Sequence, residues 1–215
     1  NNSNEISKLS RLVKPNIAII TNVSEGHIGN FKSIKDVAKA KAEIFEGLMN
    51  NGHILINRDF EYYNEVISYS KKLQNINIIT YGLNILSNIC LIDRKIIKEG
   101  QRITASAYGI KYTYKINFDG LHQAINSLAV LGSLLISKRD VKKGISNLYK
   151  AALPIGRGNR HTLFINGKKS LLIDDSYNAN PSSVIASLNS FKEIAVNNRK
   201  VLILGEMGEL GKHSL

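Results

Sequence analysis

The sequence predicts an α/β protein built on a largely parallel sheet, and two observations support this fold class. Apolar runs with the length of buried strands alternate along the chain with segments in which apolar residues recur at helical spacing. With 215 residues and 43% hydrophobic content, the chain is also long enough to bury a core, as one large domain or two small ones.

The first 150 residues contain most of the predicted elements. Strands are predicted at residues 16–22, 53–57 and 76–80, and helices at 33–48, 61–73, 123–136 and 141–149. Between residues 89 and 118 the pattern changes to short β-rich runs separated by glycines. This change indicates antiparallel strands appended to the parallel sheet.

A second unit is predicted to begin at the glycine-rich loop of residues 154–158, where helix-forming residues give way to a flexible basic segment. We therefore divide the chain into one domain at residues 1–153 and another at 154–215. Asn166-Gly167, between two apolar runs, predicts a tight hairpin. A helix beginning at Pro181 and a strand at 201–204 are predicted to follow.

The chain is basic enough to attract an anionic partner, although its charge alone does not identify one. Lys and Arg number 29 against 17 Asp and Glu, which gives a net charge of +12 and suits a phosphorylated substrate, a nucleic acid or an anionic surface. The basic residues are scattered and form no RNA-binding motif or dense basic arm, which favours an ordinary solvated basic surface over a nucleic-acid face. Without a membrane-spanning run or a signal-peptide pattern, we expect a soluble cytoplasmic protein with no membrane partner.

The most informative segment is a polar turn, Asp-Asp-Ser-Tyr-Asn-Ala-Asn-Pro, at residues 174–181. Asn180 can cap the following helix, and Pro181 suits its first position. The free N–H groups and the positive end of the helix dipole then face whatever the turn binds, so the turn predicts a site for a polyanion or a polar substrate. The alternative is a capped loop whose acidic side chains are merely solvated.

The Ser-Tyr-Asn-Ala-Asn-Pro sequence within this turn resembles the Mur ligase family. Other motifs agree with the family in the same order, and they lie at residues 14–22, 38–45, 120–126, 156–157 and 204–211. The resemblance implies a partial Mur ligase central domain followed by a partial Rossmann-like C-terminal domain. The family's phosphate-binding Gly-Lys-Thr loop and a magnesium-binding glutamate would lie upstream of the first residue, so we expect a fragment without the N-terminal domain and P-loop.

The resemblance also implies an activity. It points to an ATP-dependent amide ligase that adds D-alanyl-D-alanine to UDP-MurNAc-tripeptide in peptidoglycan precursor synthesis, with ATP and Mg²⁺ as cofactors and no activity in this fragment alone. Two alternatives stay open: another Mur-type or folylpolyglutamate ligase, and a non-catalytic basic module that binds nucleic acid or a UDP-sugar peptide. The segment at 205–212 looks like a P-loop but has the wrong spacing, and His213 stands where Ser or Thr is required.

Two residues are candidates for the metal side of the site. Lys41 falls on an apolar helical stripe, so its head either extends to a polar pocket or is desolvated, with a lowered pKa. The resemblance implies that Lys41 is catalytic and carbamylated, which gives an anion that helps to position Mg²⁺. His27 follows the first predicted strand, and spacing alone slightly favours an ordinary loop histidine; the resemblance implies a magnesium ligand.

Three residues are candidates for nucleotide contacts on the first unit and the linker. Gln123 and Asn126 form an amide pair at i and i+3 that either reads a base edge or caps its helix. The resemblance implies adenine contacts, although the family has asparagine where this chain has Gln123. Arg157 either clamps a phosphate with two hydrogen bonds or is an ordinary linker arginine, and the resemblance implies that it reaches the ATP phosphates.

The polar turn supplies the remaining candidates. The resemblance implies that Asp175 contacts the nucleotide ribose and that Asn178 and Asn180 act catalytically beside the acceptor amine by orienting the substrate. Glu206 and Glu209 belong to a segment that lies near the active cleft in the family, and no role is assigned to them.

Overall fold

The main element of the fold is a six-stranded sheet whose strands lie in the order in which they occur in the sequence. The computed structural model describes residues 2–25, 28–194 and 199–208. The strands of the sheet are β1 (Ile17–Ile20), β2 (His53–Asn57), β3 (Asn77–Gly82), β4 (Ile89–Ile96), β5 (Gln101–Ala107) and β6 (Ile110–Ile116).

The sheet is parallel at one end and antiparallel at the other. β1, β2 and β3 pair in parallel, and β4 joins β3 in parallel through only two residue pairs. β4, β5 and β6 then form an antiparallel meander. This arrangement confirms the predicted parallel sheet with an antiparallel addition.

Helices cover both faces of the sheet because β2 is apolar on both sides. Ile54 and Ile56 are fully buried against helices α2 (Ile34–Ala42) and α3 (Tyr63–Ser68), while Leu55 is fully buried in the other core cluster. Alternate residues of a strand face opposite sides, so three consecutive apolar residues require two covering layers. The opposite layer consists of α4 (Leu121–Ile136) and α5 (Val141–Asn147).

Two predicted helices are shorter as α-helices than the sequence pattern indicates. The helix predicted at 33–48 begins as α2 after the capping residue Ser33, whose Oγ accepts the N–H of Asp36 at 3.3 Å, and continues after Ala42 as a 3-10 helix at Glu43–Gly47. The helix predicted at 61–73 is α3 followed by a 3-10 helix at Tyr69–Lys72. Both segments keep their apolar faces in the core and tighten in the last turns.

The amino-terminal residues form a helix that the sequence did not predict, α1 (Glu5–Val13). A residue distant in sequence stabilises its first turn. The Glu43 carboxylate accepts hydrogen bonds from the backbone N–H groups of Asn4 at 2.7 Å and Ser7 at 3.2 Å. The Ser10 hydroxyl also donates to the carbonyl of Ile44. A side chain more than thirty residues away therefore caps α1, and local sequence carries no sign of it.

The second unit contains the predicted hairpin, formed by β7 (Asn159–Ile165) and β8 (Lys168–Asp174). Its two turn residues adopt the left-handed conformation, with φ of 50° at Asn166 and 73° at Gly167, as a tight hairpin turn requires. Helix α6 (Pro181–Ile194) follows, and it begins at the predicted residue. The boundary between residues 153 and 154 stays a prediction.

The predicted strand at 201–204 is wrong. These four residues carry no secondary structure, and between 53% and 87% of the surface of each is exposed. An extended apolar run becomes a strand only when a neighbour pairs with its backbone, and β7 and β8 pair only with each other in the part of the chain that the structure describes. Among the described helices, none has the length and apolar composition needed to span a bilayer.

Candidate functional site

A cleft of about 500 Å³ opens between the carboxyl ends of β1 and β2, the start of α4, the 153–158 linker, the polar turn and α6. In open parallel sheets the loops that follow the strands converge at this edge, which is where ligands bind. Polar side chains from both units converge on the cleft. Those that had no predicted role include Asn22, Asn57, Asp59, Asp119, His122 and Ser182.

Most of the predicted site residues meet in this cleft. Six of them line it: Gln123, Asn126, Arg157, Asp175, Asn178 and Asn180. Lys41 does not line the cleft, and His27 and Glu209 lie outside the described residues. Glu206 is described but does not line the cleft either.

The two amides of α4 are free to bind a ligand. Gln123 and Asn126 lie in its first turns, and neither side chain makes a hydrogen bond to another residue in the described part of the protein. Gly120 precedes this helix with a φ of 86°, and a Cβ there would lie only 2.0 Å from the Ser190 hydroxyl on α6. Glycine at this position therefore lets α6 approach the start of α4 closely.

The linker is locked to the polar turn. The Tyr177 N–H donates to the Gly156 carbonyl at 3.0 Å, and the guanidinium carbon of Arg157 lies 4.4 Å from the centroid of the Tyr177 ring. This stacking fixes the plane of the guanidinium without neutralising it. No described residue forms an ion pair with Arg157, so its positive charge is available in the cleft.

The two acids of the turn have different surroundings. The Asp174 carboxylate accepts hydrogen bonds from the Ser176 hydroxyl at 2.6 Å and the Ser176 N–H at 3.1 Å, and these bonds lower the pKa of Asp174. The Asp175 carboxylate faces the cleft and accepts a hydrogen bond from the Ser187 hydroxyl of α6. Asp174 therefore stabilises the turn, whereas Asp175 is placed to contact a ligand.

The two asparagines of the turn use their carbonyl oxygens locally. The Asn180 Oδ1 accepts the Ser183 N–H at 2.9 Å, and the Ser183 hydroxyl in turn accepts the Asn180 N–H at 3.0 Å. This reciprocal pair caps α6, as the sequence predicted. The Asn178 Oδ1 accepts the N–H of Ala179 at 2.9 Å, so the Nδ2 group of each side chain is what remains for a substrate.

His122 is a cleft residue to which the sequence analysis gave no role. Burial lowers the pKa of its imidazole, and this effect outweighs the opposing influence of Asp175 and Asp119. The ring is therefore neutral at pH 7 and offers one donor and one acceptor. Its position directly before the Gln123 and Asn126 pair is a signal that could have identified it.

Polar contacts hold the second unit against the sheet. Arg160 of β7 donates to one oxygen of Asp119 through Nε at 2.7 Å and Nη2 at 2.5 Å. Arg94 of β4 forms an ion pair with Glu193 of α6. These contacts bring the two walls of the cleft together, and neither buried apolar cluster includes a described residue of the second unit.

Lys41 is half-buried, as its position on an apolar helical stripe predicts, but it does not line the cleft. It is half-buried among the residues that pack α2 against the sheet, and burial lowers its pKa. It has no hydrogen-bond or ion-pair partner among residues 2–25, 28–194 and 199–208. In the same residues, no group of three or more His, Cys, Asp or Glu side chains is suited to holding a metal ion.

The chain matches two family models in sequence. The Mur ligase middle domain matches residues 1–134, and the Mur ligase glutamate ligase domain matches residues 160–214. A relative from Rickettsia prowazekii, a UDP-N-acetylmuramoyl-tripeptide--D-alanyl-D-alanine ligase, is 36% identical over 214 residues. That match covers all of this chain but 46% of the relative, so the chain spans about half the length of the relatives it matches.

Solved structures share the fold. MurF from Acinetobacter baumannii superposes with a TM-score of 0.86 at 23% identity, covering 99% of this chain and 45% of that one. MurF ligase from Thermotoga maritima in complex with ADP gives a TM-score of 0.81 at 22% identity, covering 99% and 47% respectively. The agreement extends over both sheets of this chain.

Proposed function

Because the chain belongs to the Mur ligase family, we propose that it is part of an ATP-dependent ligase that joins D-alanyl-D-alanine to UDP-N-acetylmuramoyl-tripeptide in the cytoplasmic synthesis of peptidoglycan precursors. Two observations together support this proposal. A relative with that name matches the whole chain at 36% identity, and six residues chosen from the sequence line a single cleft.

On the nucleotide side, we propose that Gln123 and Asn126 contact the adenine and that Asp175 contacts the ribose. The free donors and acceptors of the two amides suit the edge of a base, and a carboxylate suits a pair of hydroxyl groups. Arg157 would then bind the phosphates, because its guanidinium presents two parallel N–H donors and is held in plane by Tyr177. The ADP in the Thermotoga maritima relative supports a nucleotide in this family.

On the acceptor side, we propose that Asn178 and Asn180 orient D-alanyl-D-alanine. Their Oδ1 atoms are engaged within the turn, so their Nδ2 groups would donate to the oxygens of the dipeptide. That arrangement directs the amine of the dipeptide toward the activated carboxyl group. His122 would be the neutral side chain beside both substrates.

The proposed reaction has two steps. The γ-phosphoryl group of ATP passes to the terminal carboxylate of the tripeptide, which gives an acyl phosphate and ADP. The amine of D-alanyl-D-alanine then attacks the acyl carbon, the amide bond forms as the bond to phosphate breaks, and the proton lost by the amine nitrogen ends on the departing phosphate. Packing of α6 over the cleft would exclude water from the acyl phosphate, which otherwise hydrolyses.

Magnesium is a separate part of the proposal. Described residues do not form a metal site by themselves, so we assign no step to the metal. We propose that His27 contributes a ligand and that Lys41, if carbamylated, helps to position the ion. A lowered pKa leaves more of the Lys41 amine neutral, which is the form that combines with CO₂. A ¹³C carbamate signal after addition of ¹³C-bicarbonate, absent in Lys41→Met, would support this role.

Nucleotide binding tests the proposal on the chain itself. We expect the 215-residue chain to bind ADP in isothermal titration and to form no ligated product alone, because its sequence contains no P-loop pattern. Arg157→Lys should weaken ADP binding about tenfold, since one ammonium cannot replace a two-donor contact. The matched control is Arg102→Lys, an exposed arginine outside the cleft. Equal effects of the two substitutions, or turnover by the chain alone, would contradict the proposal.

A further inference from the structure

A second groove of about 430 Å³ shares no lining residue with the cleft and lies at the outer edge of the sheet, on β6. Residues 111–115 of β6 line one side, and Lys142, Ile145 and Ser146 of α5 line the other. Neighbouring side chains of a strand lie on opposite faces. A groove lined by five consecutive residues therefore runs along the edge of β6 rather than over either face of the sheet.

The edge of β6 carries unused backbone hydrogen-bonding groups. β6 pairs with β5 on one side and is the last strand of the sheet in the described part of the chain. A strand in that position presents a row of N–H and C=O groups that can pair with another extended chain. The half-buried side chain of Tyr112 adds apolar surface to the groove.

The groove is positively charged. Lys111, Lys115 and Lys142 line it, and among the residues that the structure describes no acidic side chain does. Lys111 and Lys115 are both exposed on the same face of β6, about 13 Å apart at the usual rise per residue of a strand. Carboxylates at matching positions of an added strand would face these two ammonium groups.

The lysines of β6 disfavour a second copy of this chain as the added strand. If two β6 strands paired antiparallel about Thr113, Lys111 of each would lie opposite Lys115 of the other. Like charges in directly opposed positions destabilise a strand pair, and lysine on an edge strand is a common protection against such self-pairing. The same charges favour a strand of opposite sign.

We propose that the free edge of β6 binds an extended acidic segment of a partner protein, which adds to the sheet as a seventh strand. Backbone hydrogen bonds would supply the pairing, and acidic side chains facing the lysines would select the partner. This surface is independent of the cleft and of the ligase reaction. A nucleic acid would also be attracted by the lysines, but it could not use the free backbone edge.

Hydrogen exchange on the full 215-residue chain tests the proposal, with an eight-residue peptide of alternating glutamate and valine as the probe. We expect the peptide to slow exchange of amides at residues 110–116 at least tenfold, while α4 amides keep their rates. A peptide with lysine in place of glutamate should have no effect. Binding of the acidic peptide without slower exchange in β6 would overturn the proposal.

Charge reversal provides the matched comparison. Lys111→Glu combined with Lys115→Glu should weaken binding of the acidic peptide at least tenfold. Lys168→Glu combined with Lys169→Glu, on the exposed strand β8, should weaken its binding less than twofold. Both pairs lower the net charge equally, and unchanged exchange in α4 would show that each variant is folded. Equal loss in the two variants, or tighter binding of a short DNA duplex at the same lysines, would refute strand addition.

Discussion

The ion pair between Arg160 and Asp119 is the contact whose removal should most directly loosen the second unit. Both Nε and Nη2 of Arg160 bind one oxygen of Asp119, at 2.7 Å and 2.5 Å, and the side chains are 32% and 18% exposed. Fully exposed pairs contribute about 0–1 kcal/mol, whereas hydrogen bonds to charged groups in partly buried sites contribute about 1.5–3 kcal/mol. We expect a coupling energy of about 1.5 kcal/mol, which is roughly tenfold in the equilibrium for opening the unit.

A double-mutant cycle measures this coupling. Asp119→Asn, Arg160→Gln and the double variant would be compared by hydrogen exchange at the amides of β7 and β8, which reports the free energy of local opening. The control is the same cycle on Lys95 and Asp93, whose charged atoms are 3.8 Å apart and whose side chains are 68% and 51% exposed. That cycle should give less than about 0.5 kcal/mol. A coupling for Arg160 and Asp119 no larger than the control would refute the reasoning.

Three further predictions concern the turn, the hairpin and the buried histidine. Asn180→Ala should lower the stability of α6 by about 1 kcal/mol, because the side-chain oxygen that caps the helix is lost. Asn180→Asp should retain the stability, since aspartate also supplies a capping oxygen, and hydrogen exchange in α6 measures both variants. Gly167→Ala should lower the free energy of unfolding by about 1 kcal/mol, measured by thermal unfolding. The cost comes from the positive φ of this residue, because an added Cβ would meet no atom within 4 Å. Burial lowers the pKa of His122 below 6.5, so the unfolded state binds more protons and stability should fall as pH drops from 6.5 through the folded-state pKa. Urea unfolding at a series of pH values measures this fall in stability, which should be smaller in the His122→Gln variant than in the unmodified chain.

The sequence predicted strands well where burial on both faces leaves a continuous apolar run. β2 has the predicted bounds because Ile54, Leu55 and Ile56 are all buried. Prediction from the sequence failed where the group that stabilises a segment lies far away along the chain. α1 depends on hydrogen bonds to Glu43, and residues 201–204 have the composition of a strand without a partner to pair with them. Local pattern encodes propensity, and pairing is decided by the rest of the chain.

The site was predicted in the same uneven way. Arg157 and Asp175 were found from motifs, and the structure brings both to one cleft. The apolar stripe around Lys41 was also predicted, and its lowered pKa agrees with that position. Its separation from the cleft lining could not be predicted, because helical periodicity fixes the face of a helix but not its place along the sheet. His122 was missed because a single histidine has no spacing pattern of its own, and only its place directly before the Gln123 and Asn126 pair pointed to it.

The hydrogen bonds of the linker determine which cleft residues would move together. Gly156 accepts from Tyr177, and the Gly158 N–H donates to the Asp174 carbonyl at 2.8 Å, so residues 156–158 belong mechanically to the second unit. Any hinge between the units must then lie before Gly156, in a segment where Ile155 is 86% exposed. Arg157 would travel with Asp175 and the asparagines, while Gln123 and Asn126 stay with the sheet. A nucleotide bound by both groups would therefore favour the docked arrangement that also brings the turn to the acceptor substrate.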